Sequence, residues 1–290
     1  MKNKSYITVL STENYLKGVL CLIESLKRTN TKYPISVLVT DNISSTIEGV
    51  LKQNKVNVIR KNKVCVPKSI KMKNQMGNFE HWTNTFDKLQ IFELTEFQKL
   101  VYLDSDMYVR KNIDELFEKE SMSATIDRPT GPIFLDDYEI KLTSGIMVIE
   151  PEEGILQTFM NILSTIENKR ENVGDQDILQ EYDKDWGRKK ELHLDVKYNM
   201  FFPHMDYYTH YKNYTINDLF VVHFILNIKP FQLSKEQFSQ YMKWIENGKQ
   251  KIYERFKMNF PYHYMKCGNN DEKKILQEYF QILEKIESTF

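Results

Sequence analysis

The sequence predicts an α/β fold: a Rossmann-like, mainly parallel sheet with helices on both faces, plus further helices at the C-terminal end. Three observations carry that prediction. Short apolar, β-branched runs alternate with amphipathic helical periods through the N-terminal part of the chain. The connections between them are only a few residues long, which suits parallel strands covered by crossover helices. Leu100, Val101, Tyr102 and Leu103 are apolar without alternation, as in a strand buried on both faces.

Residues 6–10 form the first strand, with Ser11, Thr12, Glu13 and Asn14 as the polar turn after it. Tyr15, Val19, Leu22, Ile23 and Leu26 then recur at helical spacing until Thr29 and Asn30 end the helix. Residues 35–39 are a second strand, 44–54 a short helix and 56–59 a third strand. Ser11 and Thr12 stand just before a helix N-terminus, where hydroxyls and backbone N–H groups can hold a nucleotide. There is no Gly-rich phosphate loop, so neither a P-loop nor a dinucleotide fingerprint is present. Residues 61–80 are polar and lack a clear period, which predicts a long loop near the site. Residues 82–94 return to helix, with Phe86, Leu89 and Phe92 on one face and Lys88 off it.

After the central strand come a helical turn at 112–117, a strand at 122–126 and an apolar strand at 145–149 entered through Thr143 and Ser144. Residues 154–168 have a helical pattern. Gly174 then precedes Asp175, Gln176 and Asp177 at the start of an amphipathic helix, where Asp175 is either an N-cap or a site residue. Tyr198 and Asn199 lie in a strand-like piece, and 220–224 is a last strand carrying His223, followed by Lys229. Residues 234–256 and 271–286 are two amphipathic helices, packed on the core or on a partner. A soft boundary near 232 divides a domain over 1–231 from a helical extension over 232–290.

Composition narrows the function. Forty basic and forty acidic side chains cancel in 290 residues, without the clustered basic face of a nucleic-acid binder. Hydrophobic residues at 41%, with 13% aromatics, support a substantial core rather than a disordered chain. Cys21, Cys65 and Cys267 are odd in number and far apart, which argues against a disulfide framework and for a reducing compartment. The basic start is followed by too short an apolar run for a secretory signal, and no stretch approaches the roughly 20 apolar residues of a membrane span. A cytoplasmic location is expected.

The chemistry centres on Asp104 and Asp106, separated by Ser105 at the end of the central strand. Open α/β sheets bind ligands in the crevice beyond the C-terminal ends of their strands. Two hard oxygen donors there suit Mn²⁺ or Mg²⁺ bridging to phosphate oxygens, although an isolated Asp-x-Asp is more often a polar turn. His223 would complete an N/O₂ ligand set, where a lone histidine is more often a satisfied core residue. A haloacid-dehalogenase-type phosphatase also places D-x-D after an apolar strand. It wants that strand near the N-terminus and Thr or Val two residues after the second Asp, whereas Met107 and Tyr108 follow here.

Five motifs, in order, resemble glycosyltransferase family 8 and its glycogenin-like branch from about Tyr6 to Phe231: YITVLSTENYLKGVLCLIESLK, VYLDSDMYVRKNIDELF, LTSGIMVIEP, GDQDIL and VVHFILNIKPF. The resemblance implies a GT-A fold and retaining, Mn²⁺-dependent transfer of a hexose, glucose or galactose, from a UDP-sugar. It implies Asp104, Asp106 and His223 as metal ligands. Val9, Ser11, Thr12 and Tyr15 match the positions around uracil and ribose, and Ser105 lies within the metal motif. Lys88, Thr143, Ser144, Asp175 and Gln176 match the sugar-binding and reaction centre, with Asp175 and Gln176 catalytic, and Lys229 matches the diphosphate contact. Leu226, Thr143 and Phe231 stand where the family has Gly, Asn and Trp. Lys71 and Lys73 are candidates for a basic sugar contact. The implied acceptor is a hydroxyl of a glycan or glycosylated protein, and a homodimer is compatible with it. The alternatives are self-glycosylation on Tyr207, Tyr208, Tyr211 or Tyr214, in the interval where glycogenin-like proteins carry their acceptor tyrosine, and a non-catalytic UDP-sugar-binding protein that keeps the fold.

Overall fold

A computed structural model of the chain describes residues 3–127, 140–167, 169–205, 208–209, 212–225, 229–247 and 270–288. The predicted opening is present as β1 (Asn3–Leu10), α1 (Leu16–Arg28), β2 (Ile35–Thr40), α2 (Ser45–Gln53) and β3 (Asn57–Lys61). β1, β2 and β3 run parallel, and β4 (Phe97–Leu103) pairs parallel with the other side of β1. The complete sheet has the order β3-β2-β1-β4-β7-β6-β8, with β6 (Ala124–Asp127), β7 (Lys141–Ile149) and β8 (His193–Leu194). The chain works outward from β1 to β3 and then restarts on β1's other side. That reversal opens a crevice beyond the ends of β1 and β4, the place such sheets use for ligands.

Both faces of the sheet are buried, and strand periodicity divides the residues between them. Tyr6, Val37, Val101 and Val148 enter one apolar cluster with Val19, Leu22 and Leu26 of α1. Ile7, Leu38, Leu100 and Met147 point to the opposite cluster. There they meet Phe159 and Leu163 of α4 (Ile155–Ile166) and Ile178 of α5 (Asp175–Tyr182). Side chains alternate across a strand, so an unbroken apolar run needs both layers of helix.

Four expectations are corrected. Residues 61–80 are not one long loop, because Lys68–Met76 forms helix α3 around the buried Ile70 and Asn74. The helix expected at 82–94 is a run of 3₁₀ turns over Glu80–Glu93. Phe86, Leu89 and Phe92 are three residues apart, the repeat that eclipses in a 3₁₀ helix. β7 begins at Lys141, so Thr143 and Ser144 lie within it, and it runs antiparallel to both β4 and β6. Tyr198 ends a 3₁₀ turn (Val196–Tyr198), and Asn199 precedes the two-residue strand β9 (Met200–Phe201).

A second sheet joins β5 (Met107–Val109), β10 (Val221–His223) and β9. It places the residue after the Asp-x-Asp motif beside His223, since Met107 pairs with His223. Of the C-terminal helices, α6 (Lys235–Asn247) stacks Phe238 on Phe280 of α7 (Asn270–Glu287) at 3.8 Å. In turn α7 packs on the domain: Tyr279 meets Phe224 at 4.8 Å, and Glu278 accepts from Arg110 Nε at 3.0 Å. Residues 248–256 of the expected helix, the last residue of the one expected over 154–168, and Cys267, Tyr207, Tyr211 and Leu226 lie outside the described residues. Among the described residues, no helix is long and apolar enough to cross a membrane.

Candidate active site

The fourteen residues singled out in the sequence line one cavity of about 410 Å³ at the crevice between β1 and β4. Val9, Ser11, Thr12 and Tyr15 come from the end of β1 and the turn into α1. Asp104, Ser105 and Asp106 leave β4, while Thr143 and Ser144 come from β7. Lys88, Asp175, Gln176, His223 and Lys229 close it from four other segments. The turn after β4 comes close to α1: a Cβ at Gly18 would lie 2.7 Å from the Ser105 carbonyl oxygen.

Two charge systems meet there. In the first, Lys88 Nζ lies 3.0 Å from Asp104 Oδ1 and 3.0 Å from Asp175 Oδ2. Burial works against the Lys88 charge, but the Asp104 and Asp175 carboxylates outweigh it and raise its pKa. Tyr102 donates its hydroxyl to Asp104 Oδ1, and burial together with that carboxylate pushes the phenol well up. Asp175 is therefore not the helix cap. Gly174 occupies that position, and its N–H donates to Asp177 Oδ2 at 2.8 Å. Asp175 starts the helix and turns its carboxylate to Lys88.

In the second system, Asp106 Oδ1 is 3.0 Å from His223 Nε2 and Asp106 Oδ2 is 2.7 Å from Lys229 Nζ. Burial opposes its ionisation, yet Lys229 and His223 outweigh burial and hold Asp106 well below the usual carboxylate range. The other imidazole nitrogen, Nδ1, is 2.9 Å from Asn199 Oδ1, and Asn199 Nδ2 donates to Thr125 Oγ1 at 2.9 Å. With Nδ1–H given to Asn199, Nε2 faces Asp106 and Asp104 as an acceptor or ligand. Ligand atoms of Asp104, Asp106 and His223 lie within 4.8 Å of one another, so two carboxylates and an imidazole can hold one divalent cation. Gly145 makes room for the ring: a Cβ there would lie 2.9 Å from His223 Cε1.

Comparison with known proteins now bears on this arrangement. Residues 6–127 match the family model for glycosyl transferase family 8. Over that part the chain is similar to glycosyltransferase family 8. Inositol phosphorylceramide glucuronosyltransferase 1 of Arabidopsis thaliana is 30% identical over 63% of this chain and 30% of its own length. Glycogenin-1 of Oryctolagus cuniculus is 29% identical over 80% of this chain and 66% of its own. An uncharacterized protein of Acanthamoeba polyphaga mimivirus is 28% identical over 90% and 97%. The chain thus spans under a third of the Arabidopsis glucuronosyltransferases but nearly all of the viral protein. The galactosyltransferase LgtC, solved with donor and acceptor sugar analogs, superposes with a TM-score of 0.56 over 90% of this chain and 98% of that one, at 16% identity. That likeness establishes the GT-A fold.

Several residues lining this cavity were not singled out in the sequence. His81, Trp82 and Thr85 reach the cavity from the 3₁₀ turns, whereas Lys71 and Lys73 do not. Lys73 donates instead to the Glu167 carbonyl at 2.5 Å, at the end of α4. Asp127 was also missed. Its Oδ2 accepts from Gln176 Nε2 at 3.0 Å, while Gln176 Oε1 accepts from the Ser144 N–H at 3.1 Å. The Gln176 amide is thereby fixed in one orientation. A polar residue closing a strand, as Asp127 closes β6, was the available signal.

Burial raises the Asp127 pKa, only partly offset by the Gln176 hydrogen bond, and the Asp177 charge raises it further. A carboxyl with a raised folded pKa contributes stability below its unfolded pKa and loses it as pH rises through the folded value. Asp127→Asn, which keeps an oxygen for Gln176, is expected to raise the melting temperature at neutral pH. The gain should vanish as pH falls towards about 4, the ordinary Asp range. An equal gain at both pH values would show that charge burial is not its cause.

Proposed function

We propose that the chain is a retaining, divalent-metal-dependent hexosyltransferase. It moves glucose or galactose from a UDP-sugar to a hydroxyl of a separate glycan or glycosylated-protein acceptor. The observation that carries this reading is the convergence of Asp104, Asp106 and His223 on one point of a cavity that also contains Lys88 and Lys229. Mn²⁺ or Mg²⁺ fits that donor set, and when bound it supplies Lewis-acid stabilisation of charge on the departing diphosphate.

The chain's own residues supply the rest. Val9, Ser11, Thr12 and Tyr15 would hold the uridine at the mouth of β1. Lys229, released from Asp106, is available to the diphosphate as a second positive charge. Lys88 holds Asp104 and Asp175 apart and fixes Asp175 for the electron-poor anomeric carbon. Gln176, held by Ser144 and Asp127, keeps its amide facing the same region. Retention follows from double displacement or from front-face attack, in which the leaving phosphate takes the acceptor's proton.

A neutral hexose suits the site better than a uronate. Asp104, Asp106, Asp175 and Asp177 line it, and both lining lysines are already paired with carboxylates. A donor carboxylate would meet like charge. Tyr208 and Tyr214, two of the candidate self-acceptors, line a neighbouring cavity rather than this one, and Tyr214 donates its hydroxyl to Asp195 at 3.1 Å. This placement favours a separate acceptor. Free UDP released with Mn²⁺ from UDP-glucose, UDP-galactose, UDP-N-acetylglucosamine and UDP-glucuronate tests the reading. Turnover of a neutral hexose donor, lost in Asp175→Asn, is expected. Absence of UDP release from every donor would make the chain a binding protein, and preference for UDP-glucuronate would overturn the charge argument.

Asn199 should act on the same site through His223. Asn199→Leu fills nearly the same volume but removes the acceptor that sets the imidazole's tautomer. Metal affinity should fall about 10- to 100-fold, the usual effect of losing a hydrogen bond behind a ligating histidine. Titration with Mn²⁺ followed by electron paramagnetic resonance reads this directly, and an unchanged affinity in a folded variant would contradict it.

A further inference from the structure

We propose that the outer face of α3 and the adjoining end of β3 form a docking surface for an anionic lipid bilayer, beside the mouth of the cavity. Charge is the first observation. Between Glu48 and Glu80 the chain has eight basic residues and no Asp or Glu, although the whole chain is neutral. Lys52 and Arg60 pair with Glu48, Lys63 donates to Asn84, and Lys73 is held by backbone carbonyls. On this face Lys61, Lys68 and Lys71 are exposed and make no ion pair among the described residues, whereas Lys55 lies at the far end of β3.

The second observation is apolar. Only Met72, Met76 and Tyr182 are exposed large hydrophobic residues among those described, and Met72 and Met76 are 62% and 83% exposed. They stand one turn apart on α3, so they share a row with Lys68, while Lys71 begins the next row. The inward rows of the same helix carry the buried Ile70 and Asn74. Two outward methionines between lysines suit a fluid interface: unbranched thioether chains adapt to acyl packing, and lysine stems lie along apolar surface with their ammonium groups at headgroup level. None of the three described cavities is lined by a residue of α3 or β3, so the chemistry favours a planar, anionic, deformable partner over an inserted peptide.

The third observation joins this face to the site. Asn74 donates to the Val173 carbonyl at 2.8 Å and accepts from the Val173 N–H at 3.0 Å, immediately before Gly174 and Asp175. Phe79, whose N–H donates to the Asn74 carbonyl at 2.7 Å, packs against Trp82 at 4.4 Å, and Trp82 lines the cavity. Asn74 and Phe79 thus tie α3 to the two segments, at Val173 and Trp82, that carry Asp175 and one wall of the cavity. On the reading given above, a bilayer bound to α3 would present the acceptor hydroxyl at headgroup level. The docking itself does not depend on that reading.

Sedimentation of the full chain with vesicles tests it. Phosphatidylcholine vesicles containing about one-third phosphatidylserine should retain the protein at low salt and release it as salt screens the lysines, while pure phosphatidylcholine should not retain it. Lys68→Glu with Lys71→Glu should weaken retention about tenfold or more, and Met72→Ser with Met76→Ser should weaken it without changing the salt dependence. All four positions are exposed and outside the cavity, so melting temperature and UDP release from a soluble donor should be unchanged in both variants. That second readout separates failure of the docking from failure of the transferase reading. No retention on phosphatidylserine vesicles, or equal retention of the Lys→Glu variant, would overturn the proposal. Saturable binding to soluble polyglutamate with none to vesicles would assign the face to an acidic protein instead.

Discussion

Asp106→Asn is expected to abolish sugar transfer while leaving a cooperatively melting protein. Asparagine has nearly the same size and can still accept a hydrogen bond, so His223 and Lys229 retain a neighbour in place. What disappears is the charge. Asp106 is the carboxylate that Lys229, with His223, holds ionised, and an amide oxygen is a poor substitute as a ligand for a hard cation. Losing the Lewis-acid contribution to the departing diphosphate, about 4 kcal/mol, corresponds to about a thousandfold in turnover. UDP binding should also lose its sensitivity to EDTA, because the metal-dependent part has gone. Tight UDP binding that ignores EDTA in both forms, with normal turnover in the variant, would remove Asp106 from the metal site.

Lys88→Met should have the largest effect on stability. Methionine approximates the aliphatic stem but leaves Asp104 and Asp175 facing each other across a buried gap. Removing one partner of a buried, hydrogen-bonded ion pair costs about 3–5 kcal/mol, which lowers the melting temperature by roughly 10 °C in a domain of this size. The pH dependence follows from the sign of the shift. A lysine with a raised folded pKa contributes stability that is complete below its unfolded pKa of about 10.4 and is lost as pH rises through the folded value. The penalty should therefore be flat from about pH 6 to 9 and shrink only at more alkaline pH. A penalty that grows from pH 6 to 9 would mean that Lys88 is not the charged centre of this network. Activity should fall as well, since Asp175 loses the group that orients it.

Most of the central layer was legible in the sequence because its signals are local. β4 carries an unbroken apolar run, β1 and β2 carry apolar runs interrupted only by Thr8 and Ser36, and α1 repeats its apolar positions at helical spacing, so each element identifies itself within its own span. The resemblance to family 8 motifs added the site, and all fourteen residues line one cavity. Less was legible where the backbone departs from the common periods. A repeat of three in Phe86, Leu89 and Phe92 satisfies an α-helix nearly as well as 3₁₀ turns. In α3 the apolar pattern is thin, because two of its methionines face outward and only Ile70 and Asn74 are buried.

By itself, then, the sequence determined the alternation of strands and helices and the two-sided burial of the sheet, and its motifs named fourteen of the residues that line the cavity. Tertiary structure alone decided the pairings. β7 takes an antiparallel place beside β4, Asp175 turns away from its own helix start to Lys88, and His223 takes its tautomer from Asn199. These choices join residues far apart in the chain. A sequence pattern reports which face of its own element a residue occupies, whereas an ion pair or a strand register depends on which element arrives opposite.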